Sequence, residues 1–204
     1  MIRTRREDGL RWLTIERPGK ANALTGAMLT RLADEAEAAR AEGDRVLVLT
    51  GAGKVFSSGA DLDEARAGLA TDRVWERLSR AIARFPGLSI AALNGTLAGG
   101  ACGMALACDI RIAVPEAKIF YPVMRLGYLP QPSDPARLVA LVGPARARMI
   151  LMAGVKVTAH EALDWRLIDR IVAADALADT VAELAADVLA ATPEHVAAIK
   201  AMLP

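Results

Sequence analysis

The stretch FPGLSIAALNGTLAGGACGMALAC, residues 85–108, decides the fold because it carries no charge over its 24 residues and yet cannot form one helix. It is long enough to span a bilayer, but Pro86 and a series of glycines divide it into a β-like piece, a turn and a helix of small residues. Strands that are buried on both faces have this continuous apolar character. The stretch therefore predicts the buried centre of an α/β domain and not a membrane helix.

The segments on either side of this centre alternate between strand and helix patterns, which is typical of an α/β protein. We expect one domain over residues 1–204, with an α/β core at 1–150 and a helical C-terminal region at 151–204. In that region Thr158-Ala-His-Glu161 predicts a helix start of the capping-box type. The predicted strands are 10–15, 46–50, 88–93 and 110–114, and the predicted helices of the core are 24–39, with Thr25 as its cap, 74–84 and 101–107.

Composition excludes several classes of function. The chain has 25 basic and 24 acidic residues and no basic stripe, so a nucleic-acid backbone is not an expected partner. No apolar stretch follows the basic N-terminus, so we expect a cytoplasmic protein without a membrane segment. Cys102 and Cys108 lie in an apolar segment at a spacing that suits neither a metal site nor a disulfide framework, and we expect reduced core cysteines.

Two common nucleotide motifs and the serine-hydrolase motif are absent from the sequence. Gly51-Ala-Gly53 follows a predicted strand, but the third glycine of a dinucleotide fingerprint would fall on Phe56. Lys54 lacks the glycine that a phosphate-binding loop requires six residues before its lysine, where Val48 stands. No Gly-x-Ser-x-Gly elbow is present. The expected partner is a different small molecule or another protein.

Two turns of small residues, Phe56–Leu62 and Asn94–Gly103, each follow a predicted strand and precede a predicted helix. Turns of this kind can converge their backbone N–H groups on a ligand oxygen, because small residues let the ligand approach the main chain. The two turns therefore predict an oxyanion hole. The alternative is that both are ordinary tight turns in a packed sheet.

Five blocks of the sequence resemble, in order and spacing, the crotonase (enoyl-CoA hydratase/isomerase) superfamily. The resemblance covers nearly all 204 residues and continues through Glu161–Val172. It implies a spiral of ββα units with a helical C-terminal region, shorter than usual. The blocks are Arg17-Pro-Gly-Lys-Ala-Asn-Ala-Leu24, Phe56-Ser-Ser-Gly-Ala-Asp-Leu62, Asn94-Gly-Thr-Leu-Ala-Gly-Gly100, Ala105-Leu-Ala-Cys-Asp-Ile-Arg-Ile-Ala113 and Leu126-Gly-Tyr-Leu-Pro130.

The resemblance implies an enzyme that holds an acyl thioester and stabilises its enolate. The N–H groups of Ala60 and Gly100 would form the oxyanion hole. No cofactor is implied beyond the coenzyme A or phosphopantetheine that belongs to the substrate. The other residues expected to contact the substrate, mostly through the main chain, are Lys20, Ala21, Ala23, Leu24, Ser58, Asp61, Leu62, Gly99, Val123 and Tyr128.

The sequence departs from the hydratase pattern at the two positions where that pattern has glutamates. Gly103 and Val123 stand there, and neither can transfer a proton. We therefore expect an isomerase, decarboxylase or lyase reaction instead of ordinary hydration. Two alternatives stay open, which are a catalytically silent binding subunit and a hydratase that uses other acid/base residues.

Tyr121, Tyr128, Gln131 and Asp134 flank the loop expected to form the pocket, and of these Asp134 and Tyr121 are the candidates for proton transfer. Asp134 is the only carboxylate in the loop that precedes the next predicted helix, at 135–142, and its alternative role is the N-cap of that helix. Arg125 could hold a substrate carboxylate or could be a surface charge. His160 and His195 are both interpreted as structural.

The resemblance also indicates which carrier of the thioester and which oligomeric state to expect. Relatives carry a lysine near position 63 that contacts coenzyme A phosphates, whereas this chain has Asp63, so an acyl carrier protein is an alternative carrier of the thioester. Longer relatives continue beyond the position of Pro204 into helices that build a trimer. We expect a homo-oligomer, a trimer or a hexamer, with either fewer interface elements or a more open pocket.

Overall fold

The computed structural model describes residues 1–203, which form ten β-strands and nine α-helices. The strands are β1 Ile2–Glu7, β2 Leu10–Ile15, β3 Val46–Gly51, β4 Val55–Ser57, β5 Leu88–Leu93, β6 Thr96–Ala98, β7 Ile110–Ala113, β8 Lys118–Phe120, β9 Val157–Thr158 and β10 Arg170–Ile171. The helices are α1 Gly26–Ala41, α2 Leu62–Arg66, α3 Val74–Ala83, α4 Ala101–Leu106, α5 Val123–Leu126, α6 Asp134–Leu151, α7 Ala159–Asp164, α8 Leu177–Ala190 and α9 Pro193–Ala201.

The strands form two sheets. The six-stranded sheet has the order β1-β2-β3-β5-β7-β10, and all of its pairs are parallel except β1 with β2. The four-stranded sheet has the order β4-β6-β8-β9, with β9 antiparallel to β8. Three successive strand pairs each place their first strand in the large sheet and their second in the small one, and a helix follows each pair. The expected α/β fold of ββα units is therefore confirmed.

The centre of the core lies where the sequence predicts it. β5 has the predicted limits, and its residues Ile90–Leu93 are fully buried, as is the neighbouring strand at Val46–Val48. Thr25 caps α1 by accepting a hydrogen bond from the Met28 N–H. Burial on both faces explains the apolar runs, because helices cover the parallel sheet.

Some expectations were incomplete because they concern short elements that form only through long-range pairing. The loop expected at 51–59 contains β4, the turn expected at 94–103 contains β6, and residues 2–7 form β1. The C-terminal region is helical, but it also supplies edge strands β9 and β10 to the two sheets. The helix predicted at 135–142 belongs to α6, which is bent at Gly143 where φ is 77°.

The capping box of α7 gives a local stability prediction. Thr158 Oγ1 accepts a hydrogen bond from the Glu161 N–H, and the Glu161 carboxylate accepts one from the Thr158 N–H. We expect Thr158→Ala to lower the free energy of unfolding by about 1 kcal/mol in urea titrations, because the first turn loses its acceptor. Thr30→Ala is the control, since the exposed Thr30 hydroxyl only donates back to the Gly26 carbonyl within α1. Equal effects of the two changes would contradict the prediction.

None of the helices in residues 1–203 combines the length and the hydrophobicity that a membrane-spanning helix needs.

Candidate functional site

A cavity of about 270 Å³ opens between the two turns of small residues, the α5 segment and α3. Ala60 and Gly100, the residues expected to form an oxyanion hole, both line it. The rest of its wall is mostly apolar, with a few polar groups. Its other lining residues are Ser58, Leu62, Ala65, Arg66, Ala70, Trp75, Gly99, Tyr121, Pro122, Val123, Leu126, Tyr128, Leu129 and Gln131.

The two turns pack directly against each other through their glycines. Gly59 has a φ of 95°, and a Cβ added to it would lie 3.0 Å from the Ala98 carbonyl oxygen. Gly99 has a φ of 58°, and the space beside it holds the Gly59 Cα at 3.6 Å. At Gly59, only glycine combines this backbone angle with so close an approach, whereas at Gly99 it is the positive φ that favours glycine. The small residues let the two main chains lie against each other.

The amide N–H groups of Ala60 and Gly100 have no acceptor among residues 1–203. Their neighbours are fixed, since the Leu24 N–H donates to the Gly59 carbonyl and the Asp61 N–H donates to the Leu24 carbonyl, each at 2.8 Å. Buried or half-buried amides are normally paired, so two free amides on one cavity wall need a partner from outside the chain. The arrangement can bind an oxygen atom that carries negative charge.

Tyr121 is an ionisable residue of the cavity lining, and its hydroxyl is hydrogen-bonded to a carboxylate that lies outside the lining. Its hydroxyl donates to Asp134 Oδ2 at 2.9 Å and accepts a hydrogen bond from the Gln131 N–H at 3.4 Å. Burial, and then the nearby Asp134 charge, raises the pKa of Tyr121. Burial raises the pKa of Asp134 to about 6, although the Tyr121 hydroxyl and Arg137 favour the ionised form. Tyr121 therefore keeps its proton and donates it in the hydrogen bond to the buried Asp134 carboxyl.

The Asp134 carboxylate occupies the space left by the absence of a side chain at Gly103. A Cβ placed on Gly103 would lie 2.7 Å from Asp134 Oδ1 and 2.9 Å from Oδ2. Within the described part of the chain Oδ1 accepts no hydrogen bond, and the Arg137 guanidinium is 3.9 Å away. Gly103 and Asp134 are therefore sterically coupled.

The alternative role of Asp134 as the N-cap of the next helix is wrong. Ser133 is the N-cap of α6, and Asp134 is the first residue of that helix. The α6 start is bound instead by Glu76, which accepts hydrogen bonds from the Ser133 N–H and hydroxyl. Burial alone would raise the pKa of Glu76, but these hydrogen bonds outweigh it and the pKa is lowered. The Asp134 side chain is thus free to bind Tyr121.

The residues expected to contact the substrate fall into two groups. Those that line the cavity are Ala60, Gly100, Tyr121, Ser58, Leu62, Gly99, Val123 and Tyr128. Those outside its lining are Asp134, which lies behind Tyr121, and Lys20, Ala21, Ala23, Leu24 and Asp61.

The segment at residues 20–24 is nevertheless attached to this wall of the cavity. Leu24 is fully buried and uses both of its backbone polar groups on residues 59–61. The Asp61 carboxylate accepts a hydrogen bond from Arg17 at 2.7 Å, and that bond is the main reason for the lowered pKa of Asp61. The two segments therefore form one edge of the site.

Other groups with chemical potential lie elsewhere. Arg125 is exposed and does not line the cavity, and neither do His160 and His195, which are exposed as well. Cys102 and Cys108 are free, buried thiols, as expected. Burial raises the pKa of both, that of Cys108 to about 12, so neither supplies a thiolate ligand or nucleophile.

Sequence reasoning did not single out Trp75, and it placed Gln131 beside the pocket-forming loop without a defined role. Trp75 lies on the buried face of α3, and its ring is 3.2 Å from a Cβ built on Gly100. Gln131 lines the cavity. A tryptophan on an apolar helix face and one glutamine in a loop carry no signal that separates them from core or surface positions.

Comparisons with known proteins show the family and the fold. The enoyl-CoA hydratase/isomerase family model matches residues 5–204. The 1,2-epoxyphenylacetyl-CoA isomerase of Escherichia coli (strain K12) is 33% identical over 189 residues, which are 88% of this chain and 72% of that protein. The 2,3-dehydroadipyl-CoA hydratase of the same strain is 33% identical over 199 residues, 94% of this chain and 76% of that protein.

A solved structure extends the likeness to three dimensions. The enoyl-CoA hydratase/isomerase structure from Pseudoalteromonas atlantica T6c superposes with a TM-score of 0.91 at 30% identity, covering 99% of this chain and 82% of that one. The sequence match and the structural match both extend over almost the whole chain. The chain belongs to the enoyl-CoA hydratase/isomerase family of the crotonase superfamily.

Proposed function

We propose that this protein converts an acyl thioester through an enolate that is stabilised by the N–H groups of Ala60 and Gly100. The reaction is the isomerisation of a double bond or the loss of a carboxyl group beside the thioester. The observation that carries the proposal is the pair of unpartnered amides in the same cavity as Tyr121, whose hydroxyl is hydrogen-bonded to Asp134. Family membership supports acyl-CoA as the class of substrate.

The two amides supply the electrostatic part of the reaction. When a proton or a carboxyl group leaves the α-carbon, the electron pair moves onto the carbonyl oxygen. Preorganised donors at that oxygen stabilise the developing charge without rearranging, and each is worth about 3 to 4 kcal/mol. Because the turns that hold these amides are fixed by close backbone packing, the donors need no ordering on binding.

Tyr121 and Asp134 supply the proton transfer. In an isomerisation the Tyr121 oxygen takes the α-proton while its own proton passes to Asp134, and the reverse transfer protonates the γ-carbon. In a decarboxylation the broken carbon–carbon bond supplies the electron pair of the enolate, carbon dioxide leaves, and the same relay protonates the carbon. Both reactions need only one proton-transferring group, which fits a cavity with one such pair.

The carrier end of the substrate lies along the edge formed by residues 20–24 and 58–62. Ser58 and Leu62 line the cavity on this side, and the Ser58 N–H donates to the Ala21 carbonyl at 3.0 Å. Arg66 is the cationic residue of the cavity lining, and it is exposed. We assign coenzyme A to this edge, with the phosphopantetheine of an acyl carrier protein as the alternative.

The test is a short substrate panel followed by mass spectrometry in heavy water. The panel contains crotonyl-CoA, a β,γ-enoyl-CoA and a 2-carboxyacyl-CoA, which carries its carboxyl group on the α-carbon. Movement of the double bond or loss of carbon dioxide with deuterium incorporation supports the proposal and names the reaction. Addition of water to crotonyl-CoA favours a hydratase with other acid/base residues. Binding without deuterium incorporation in any compound favours a silent binding subunit.

The pH dependence of the reaction follows from Asp134. As the final acceptor of the α-proton it must be ionised, and its pKa is raised to about 6. We therefore expect kcat/KM for the isomerisation to be constant above this pH and to fall about tenfold per pH unit below it. Initial rates between roughly pH 5 and pH 8 measure this, and those values bracket the expected pKa. A profile that stays flat through pH 6 would exclude Asp134 as the acceptor.

A further inference from the structure

The site cavity lies back to back with a second, larger cavity of about 820 Å³ on the surface between α1 and α3. At three places, adjacent residues of the chain line the two spaces, so the same segments form the wall that separates the two cavities. Ala70, Trp75 and Gln131 line the site cavity, whereas Thr71, Glu76 and Pro132, their next neighbours, line the outer one.

Gln131 is the residue that lines both cavities. Gln131 is buried, and its side-chain amide donates a hydrogen bond to the Ala70 carbonyl at 3.1 Å. Its backbone N–H donates to the Tyr121 hydroxyl, so the position of the main chain is fixed independently of the side chain. The side chain can therefore be shortened without moving the proton-transfer pair.

The wall on either side of Gln131 has its own attachments. The Trp75 indole N–H donates to the Leu69 carbonyl at 2.8 Å, in a buried position. Glu76 accepts hydrogen bonds from the Ser133 N–H and hydroxyl. Loss of the Gln131 side chain leaves these bonds in place, and the opening it creates is confined to the space between Ala70 and residue 131.

A thioester in the proposed orientation directs its acyl group at this wall. With the carbonyl at Ala60 and Gly100 and the carrier at Ser58, the acyl group faces the remaining lining, which includes Trp75 and Gln131. The volume of 270 Å³ is below the range of about 300 to 1,000 Å³ that is common for small-molecule sites. The enclosed space suits a short acyl group.

We propose that Gln131 is a gate that limits the length of the acyl chain, an inference that rests on the proposed function of the cavity. With the side chain bound to Ala70, a long chain meets the wall. Without it, the chain passes into the outer cavity, whose rim is charged and whose apolar contacts are Ala36, Ala81, Pro132 and the alkyl parts of its arginine side chains. Gln131 thus determines specificity for short acyl groups, while taking no part in the reaction itself.

The test measures binding, so that it does not depend on turnover. Isothermal titration calorimetry compares butyryl-, octanoyl- and lauroyl-CoA on the wild-type protein and on Gln131→Ala. We expect the wild type to bind butyryl-CoA about tenfold or more tightly than lauroyl-CoA, and Gln131→Ala to remove most of this difference by binding lauroyl-CoA about tenfold more tightly, which corresponds to about 1.4 kcal/mol.

Three further variants make the result specific. Gln131→Ser repeats the opening with a second small side chain, in case Gln131→Ala does not fold. Gln131→Met fills the same space without the hydrogen bond and should keep the preference for short chains. Pro132→Ala is the matched control, because Pro132 lines only the outer cavity, and it should leave all three affinities unchanged.

The possible failures are distinct. If the wild type binds all three thioesters equally, or if both small variants keep the wild-type dependence on chain length, the gate is overturned and the proposed function stands. If the wild type binds none of them, the assignment of coenzyme A is overturned together with the gate.

Discussion

Asp134→Asn is expected to lower kcat for the isomerisation by about 100- to 10,000-fold, the usual contribution of general acid–base catalysis, with little change in KM. The amide has the shape of the carboxylate and can still accept the Tyr121 hydrogen bond, but it cannot take up a proton. Because Asp134 does not line the cavity, substrate binding should be preserved. Steady-state kinetics on the substrate found with the panel give both constants.

Companion variants test whether that loss comes from proton transfer by Tyr121 and Asp134 acting together. Tyr121→Phe should cost about as much as Asp134→Asn, and the double variant should cost no more than either, because the two groups act as one unit. Asp164→Asn is the matched control, since Asp164 is exposed at the end of α7 and away from the cavity. Full activity of Asp134→Asn would remove Asp134 from the mechanism and leave the oxyanion hole untouched.

The same substitution should also change how stability depends on pH. A folded-state pKa raised from 3.8 to about 6 means that Asp134 contributes stability while it is protonated, below its unfolded pKa, and that this contribution is lost as the pH rises through about 6. The amide introduced by Asp134→Asn stays neutral at every pH, so the variant should be more stable than the wild type at pH 8 by up to about 3 kcal/mol. The difference should vanish near pH 4.

Gly103→Ala is the second prediction with a large expected effect. Its Cβ would lie within 2.9 Å of both Asp134 oxygens, in a position where the carboxylate is buried and bound to Tyr121. We expect a loss of about 2 to 3 kcal/mol in the free energy of unfolding, because one of the two side chains must move in a packed core. Displacement of Asp134 should also lower kcat. Urea denaturation at low pH and kinetics measure the two effects.

A double-mutant cycle separates this contact from a general intolerance of alanine in α4. In Gly103→Ala/Asp134→Ala the clashing carboxylate is absent, so the added methyl group should cost less than it does in the presence of Asp134, with a coupling of about 1 to 2 kcal/mol. Gly43→Ala is an unsuitable control because Gly43 has a φ of 72° and would be strained by any side chain. Additive effects would show that Gly103 and Asp134 are independent.

Much of the fold could be predicted because its signals are local. The limits of β5 follow from an apolar run between Gly87 and Asn94, and the starts of α1 and α7 follow from Thr25 and Thr158, whose side chains bond to the next turn of the same helix. The short strands β4 and β6 could not be recognised, because three residues become a strand only when a distant segment pairs with them.

The two turns of the candidate site, Phe56–Leu62 and Asn94–Gly103, were also predictable. Each alone fits an ordinary tight turn, and the resemblance of the ordered blocks to the family identified them as one site. The proton-transfer pair was less accessible. Sequence alone favoured Asp134 as a helix cap, because an acidic residue before a proline is a common helix start. Its actual partner depends on the empty space at Gly103 and on the position of the Tyr121 hydroxyl.

The sequence by itself determined the α/β class, the family and the two turns of small residues that line the cavity, since these depend on patterns within one segment and on the order of segments. Only the tertiary structure decided that Asp134 lies beneath Tyr121, that Trp75 packs on Gly100 and that Gln131 separates two cavities. Those contacts join residues far apart in the chain. Their geometry is fixed by side-chain volume and direction in the packed core, which no local pattern of residues records.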